Sequence, residues 1–231
     1  EISQEGETLN LNNVRAKMPE RDMLKDRPYS VEYDGVDVSH FQNNIKWEEL
    51  KKDDSLKFVY ARVMGMNERI DELYYRNMRE AKRCGVPIGT YHFFTMDISV
   101  QEQWRKFKRF VDKGQQDLKP MIDIESQSLS ATNNSHLKDS VMWMAKAMEA
   151  EYGVKPVIYS NQYFYEQYLT PEFDDYPLWI ANYSREPKLK TGVPFLWQFS
   201  CTGHVRGIWC EVDLNRFVNG GSMDDLLLKK R

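Results

Sequence analysis

From Tyr33 to about Asn215, short runs of β-branched, aliphatic and aromatic residues alternate with stretches in which apolar residues recur every three or four positions. That alternation predicts βα units wound around a parallel sheet. Eight strands are expected, at 33–39, 58–64, 87–94, 119–125, 155–160, 177–183, 195–200 and 210–215. Tyr74, Met78 and Ala81 stand at i, i+4 and i+7 and predict a helix that Gly85 stops. Trp104, Phe107 and Val111, at i, i+3 and i+7, show the same helical period. Leu137, Val141, Met144, Ala145, Met148 and Tyr152 form an apolar stripe ended by Gly153 and Pro156. No comparable helical period follows residue 170. The expected fold is therefore α/β, a TIM-like barrel with its later helices reduced or lost, and roughly 185 residues then suffice where a full barrel takes about 250.

Residues 1–32 are polar and charged, with Pro19 and Pro28, and read as an N-terminal tail or linker. Residues 33–220 form the expected barrel domain and 221–231 a C-terminal tail. The 231 residues are 41% hydrophobic and 13% aromatic, ample for one core. Lys and Arg number 32 against 35 Asp and Glu, a net charge of −3, which argues against nucleic acid or an anionic membrane as partner. No apolar run reaches membrane-spanning length, and a monomer is expected. The chain opens on Glu1 with no basic-then-apolar leader, so an exported form would already have lost its signal peptide. Three cysteines fit no zinc site. Cys201 and Cys210 flank two glycines in what reads as a hairpin, so a cross-strand disulfide and free thiols both stay open, while Cys84 reads as a buried thiol.

In a barrel of this kind the reactive groups are expected at the strand ends that form the mouth. The fourth strand ends Pro120-Met121-Ile122-Asp123-Ile124-Glu125. Its two acids at i and i+2 share one face, with Cα atoms roughly 6.6 Å apart, and the isoleucines take the other. Two carboxyls in a low-dielectric mouth repel, so one should stay protonated near neutral pH, which is what a general acid beside an ionised partner requires. Asp37 on the first strand and Asp213 on the last should join them, because first and last strands are neighbours in a closed barrel. No basic residue stands beside any of the four in sequence. A lone acid is most often a surface carboxylate or a helix cap; a pair flanked by Ile on a buried strand is not.

Aromatic residues gather at the same strand ends: Tyr91, His92, Phe93 and Phe94, then Tyr159, Trp179, Tyr183 and Trp197. Their flat faces and polar tips suit sugar rings. Phe93 and Phe94 read by themselves as core, whereas Trp179 and Tyr183, beside Asn182, read as substrate contacts. The phosphate-loop, dinucleotide and nucleophile-elbow motifs are missing, and the four histidines include no His-x-x-x-His pair. A metal site of His40 or His92 with Asp37 stays open, although neutral core or hydrogen-bonding roles fit these histidines better.

Seven segments in order resemble glycoside hydrolase family 25 lysozymes, the Chalaropsis-type N-acetylmuramidases. They are Gly35-Val36-Asp37-Val38-Ser39 with Gln42; the spaced Asp71, Tyr74, Asn77 and Ala81; Gly89-Thr90-Tyr91-His92-Phe93-Phe94; Asp123-Ile124-Glu125; Ile158-Tyr159-Ser160-Asn161; Leu178-Trp179-Ile180-Ala181-Asn182-Tyr183; and Trp197-Gln198-Phe199-Ser200 with Val212-Asp213-Leu214-Asn215-Arg216-Phe217. The resemblance implies a (β/α)5β3 barrel and cleavage of the β-1,4 bond between N-acetylmuramic acid and N-acetylglucosamine in peptidoglycan, outside the cytoplasm. It implies Glu125 as general acid, Asp123 as its partner carboxylate, Asp37 and Asp213 as the other pocket acids, and no metal or cofactor. Tyr91, Phe93, Tyr159, Trp179, Asn182, Tyr183 and Trp197 are the expected substrate-binding residues. One departure stands out: many members carry Glu-Gly after the second strand, where this chain has Val63-Met64-Gly65-Met66. The alternatives are a wall-binding protein on the same barrel that has lost turnover, and a metal-dependent deacetylase, for which no His-rich triad can be assembled.

Overall fold

The computed structural model describes residues 27–65 and 69–228. Most of the expected N-terminal tail, Met66 of the departing segment and residues 229–231 lie outside them. Eight strands close into a barrel in sequence order: β1 (Gly35–Val38), β2 (Phe58–Met64), β3 (Ile88–Phe93), β4 (Met121–Asp123), β5 (Val157–Asn161), β6 (Leu178–Ala181), β7 (Pro194–Gly203) and β8 (Val212–Phe217). Each overlaps a predicted run.

The strands from β1 to β7 are parallel, whereas β8 runs antiparallel to both β7 and β1. This departs from an all-parallel barrel for a simple reason. Only residues 204–211 separate β7 from β8, too few for a parallel crossover, which needs a dozen or more. The reversal puts the beginning of β8, not its end, at the mouth, and pairs Asp213 with Asp37 in register.

Helices cover the early strands. Those named α2 (Tyr74–Cys84), α3 (Val100–Phe110) and α4 (Leu137–Tyr152) match the predicted stripes, and all six apolar residues of the α4 stripe are buried. Gly85 and Gly153 end α2 and α4 at φ of 73° and 75°, a left-handed conformation that side chains with a Cβ resist. The shorter α1 (Trp47–Leu50), α5 (Gln162–Phe164, continued by a π turn over Tyr165–Leu169) and α6 (Met223–Leu226) carry too few turns for a periodic signal.

Alternation along the strands divides the apolar residues into two sets. One fills the space between barrel and helices and includes Ile122 and Ile124. The other fills the barrel itself: Phe58, Tyr60, Leu118, Met121, Val157, Trp179, Leu196 and Leu226. Trp179 is the hub, meeting Phe58, Tyr60 and Tyr159 edge-on with centroids 6.1, 5.3 and 5.5 Å away. Gly35 lies so close to Phe58 that an added Cβ would stand 2.3 Å from the ring.

Both flanks join the barrel. Ser30 N–H donates to the His204 carbonyl and His204 N–H to the Ser30 hydroxyl, while Tyr29 packs on the His204 ring. At the other end Leu227 bridges to Leu118, Leu228 N–H donates to Asp117, and Leu226 is fully buried in the barrel floor. Residues 221–228 are thus a plug, not a free tail. Hydropathy periodicity does not reveal this, because two buried leucines, Leu226 and Leu228, and a few backbone hydrogen bonds do the work. Leu226→Ala should cost about 2–5 kcal/mol of stability, as expected for a buried leucine leaving a cavity, measured by urea unfolding. A loss below 1 kcal/mol would show that the segment does not close the floor.

Candidate active site

The barrel floor is apolar, but one layer higher the inward positions become polar. The open end holds a cavity of about 220 Å³ whose lining includes Asp37, Asp123, Glu125 and Asp213. Each arrives by the same rule: on β1, β4 and β8 every second residue faces inward, and near the mouth that residue is an acid. Glu125 stands two residues past the end of β4, with extended backbone, and its N–H donates to the Ser128 hydroxyl at 3.0 Å at the start of a one-turn 3-10 helix over Ser126–Ser128. The turn stops the strand and leaves Glu125 half-buried at the rim.

Burial dominates the electrostatics. Asp123 is pushed well above the carboxylate range, first by desolvation and then by the charges of Glu125 and Asp37, with Arg62 opposing. Its Oδ1 is buried without a hydrogen-bond partner among the described residues. Glu125 is raised by desolvation, with the Tyr159 hydroxyl pulling it down and the Asp37 charge pushing it up. Asp213 is raised to about 9 by desolvation, the Asp37 charge and a hydrogen bond with Asp37. Asp37 is also raised by burial, but hydrogen bonds from Asn215 and Gln198 work against the shift.

Arg62 adds a cation that adjacency in sequence does not show. It continues the inward series Phe58, Tyr60 on β2, so alternation along that strand was the available signal. Its Nη2 and Nε lie 3.0 and 3.3 Å from Asp71 Oδ2, and its guanidinium sits 5.3 Å from the exposed ring of Phe41. Asp71 also accepts the N–H groups of His40 and Leu73. Although burial pushes Asp71 up, these hydrogen bonds and the Arg62 charge hold it below the usual range.

Of the predicted substrate contacts, Tyr91, Phe93, Tyr159 and Tyr183 line the cavity, joined by Phe41, Gln42 and Gln198. Trp179, Asn182 and Trp197 do not. Trp179 is buried below the cavity, its indole N–H donating to Asn215 Oδ1 at 2.9 Å. Trp197 alternates with the inward Leu196 and Gln198, so it faces outward, where its indole donates to the Asn182 carbonyl. The Asn182 amide meets Gln162 and the N–H of Ser184. These two residues hold the loop that carries Tyr183, so they shape the cleft from behind. All three cysteines are free thiols. The β7–β8 register pairs Gly203 with Val212, leaving Cys210 outside the ladder, where its thiol contacts the Phe41 carbonyl.

Among the described residues no group of three or more His, Cys, Asp or Glu could hold a metal ion, and no helix is long and apolar enough to cross a membrane. The four carboxyls offer instead a protonated and an ionised oxygen facing one cavity, the minimum for acid-assisted cleavage of an acetal.

The sequence profile of "Glycosyl hydrolases family 25" matches residues 36–208. An Escherichia coli K12 protein described as "Uncharacterized protein YegX" is 33% identical over 205 residues, 86% of this chain and 74% of its own length. Lysozyme M1 of Streptomyces globisporus is 25% identical over 81% of this chain and 68% of its own. A family 25 glycosyl hydrolase from Bacillus anthracis superposes with a TM-score of 0.70 at 26% identity, covering 84% of this chain and 92% of that one.

The raised carboxyls make a stability prediction. A carboxyl whose folded pKa exceeds its unfolded value contributes fully below the unfolded pKa, and that contribution is lost as pH rises through the folded one. For Asp213 the window runs from the ordinary aspartate range up to about 9. Asp213→Asn should therefore stabilise the protein on the order of 1–3 kcal/mol at pH 8 and by little near pH 4. Thermal unfolding at both pH values checks it; equal effects at both would contradict the assignment.

Proposed function

The chain belongs to glycosyl hydrolases family 25, and from that premise we propose that the barrel mouth is the active site of a muramidase. It is a glycoside hydrolase of the lysozyme type. Its proposed substrate is the β-1,4 bond between N-acetylmuramic acid and N-acetylglucosamine in peptidoglycan glycan strands, met outside the cytoplasm, with Glu125 as general acid.

The observation that carries the mechanism is the unpartnered Oδ1 of Asp123. A buried carboxyl oxygen without a donor costs free energy until a ligand supplies one, and a donor placed there favours the ionised form against the burial that raises Asp123. The 2-acetamido group of the sugar offers an N–H for that position. Held there, its carbonyl oxygen attacks the anomeric carbon, the bond to the leaving oxygen breaks, and the Glu125 proton passes to that oxygen. The positive charge of the cyclised acetamido group is met by Asp123. Water, deprotonated by Glu125, then opens the ring from the face the leaving group vacated and restores the proton to Glu125. Two displacements retain the β configuration. Acids only two residues apart favour this path over one in which a water must fit between them. Phe41, Tyr91, Phe93 and Tyr183 supply flat faces for the sugar rings.

Glu125→Gln keeps shape and removes the proton, so kcat on peptidoglycan should fall about 10²–10⁴-fold while wall fragments still bind. Retention of more than a tenth of wild-type turnover would move the proton to another of the four acids. Asp123→Asn should cost a similar factor, with the larger part in kcat, because it loses charge that matters most in the transition state. Stereochemistry is read by NMR of the first-formed product before mutarotation. The β anomer is expected, and an α anomer would exclude acetamido participation.

A further inference from the structure

Asp37 and Asp213 face each other across the β1–β8 ladder, two carboxyls at one register position, both half-buried in the cavity wall. One proton shared between them lowers the cost of burial, and the surroundings decide which holds it. Asn215 is the first determinant. Its Oδ1 accepts the Trp179 indole N–H at 2.9 Å, and its Nδ2 donates to Asp37 Oδ1 at 2.8 Å and to the Gly35 carbonyl at 3.3 Å. An indole N–H can only donate and a peptide carbonyl can only accept, so the amide has one orientation that satisfies both. That orientation aims its N–H at Asp37.

Gln198 is the second. Its Oε1 accepts the hydroxyls of Tyr159 at 2.7 Å and Tyr183 at 2.8 Å, and its Nε2 donates to the same Asp37 oxygen at 3.1 Å. Two amide donors therefore converge on Asp37 Oδ1, that of Asn215 locked by the indole and that of Gln198 held by two hydroxyls, and because a carboxylate accepts them better than a carboxylic acid, the shared proton falls to Asp213. Asp213 has no amide donating to it among the described hydrogen bonds.

We propose that Trp179, Tyr159 and Tyr183 act through the amides of Asn215 and Gln198 as positioning residues, making Asp37 the ionised member and Asp213 the proton-bearing member of one half-buried pair. The remaining charged and titratable neighbours do not reverse this. Glu125, two residues past β4, raises the cost of charge on Asp213, Asp37 does the same to Asp123 and Glu125, and Arg62 on β2 stands with Asp71. Tyr91, Tyr159 and Tyr183 stay neutral, since burial raises all three phenols. The consequence for catalysis rests on the function proposed above: a fixed negative charge on Asp37 holds the proton on Glu125. Trp179 and Tyr159 would thus govern the acid's pH range from beneath it.

The test separates the two readings. Carboxyl-carbon NMR of protein labelled at aspartate, with signals assigned through Asp37→Asn and Asp213→Asn, reports protonation without any turnover. At neutral pH the wild type should show Asp37 ionised and Asp213 neutral. Trp179→Phe keeps an aromatic ring and removes the N–H that locks Asn215. It should move the Asp37 signal towards neutral and the Asp213 signal towards ionised, and lower the alkaline limb of the kcat/KM profile by about half a pH unit or more. Tyr183→Phe, at the half-exposed rim, should do the same to a smaller degree through Gln198, and it decides the matter if Trp179→Phe does not fold. Trp143→Phe, on the exposed face of α4, should leave both aspartate signals in place. An unchanged Asp37 signal in the folded variants overturns the proposal, even if activity falls. An altered signal alongside an unchanged pH–rate profile upholds the clamp and counts against Glu125 as the acid.

Discussion

Four carboxyl groups share the mouth of a barrel whose floor is aromatic and dry, and such a set cannot all be ionised at once. An isolated carboxylate moved into such a place would take up a proton. Here the burden is divided. Asp37 receives two amide donors, Asp213 shares a hydrogen bond with it, Glu125 stands half-buried at the rim, and Asp123 keeps an oxygen without a partner. Most of the remaining architecture can be understood as what keeps these groups at those distances and away from bulk water.

The barrel supplies the distances. Closure brings β8 beside β1, and its reversed direction sets Asp213 against Asp37, not at the far end of the molecule. The floor supplies the dryness: Phe58, Tyr60 and Trp179 pack edge-to-face beneath the acids, and Leu226 from the C-terminal segment plugs what lies below. The same indole that fills the floor also turns the Asn215 amide, so packing and electrostatics meet in one residue. The rim is built from outside by Asn182 and Trp197, which carry Tyr183, and by the 204–211 loop, whose Cys210 thiol and Glu211 carbonyl hold the Phe41–Gln42 turn in place.

The strands and principal helices could be read along the chain because their signal is local. A stripe such as Leu137 to Tyr152 repeats within a few residues, and Asp123-Ile124-Glu125 declares by alternation which side chains point together. The same alternation makes Arg62, Gln198 and Asn215 visible as polar residues in inward positions, although nothing in the sequence beside them names their partners. Where local reasoning failed, it failed for aromatic residues. Trp179 and Trp197 stand at strand ends of similar composition, yet the first faces the dry interior and the second the outside, because β7 presents Leu196 and Gln198 inward.

Local periodicity, the four acids and the ordered family motifs are properties of neighbouring residues, so they were already present in the sequence. Which acid is charged was not. Asp37 meets Gln198 and Asn215 across 161 and 178 residues of chain. Those meetings depend on closure of the ring, on the register between β1 and β8, and on the antiparallel turn that brings β8 back. A carboxyl's proton responds to groups a few ångströms away in space, not to its neighbours along the chain, and only the closed barrel assembles those groups.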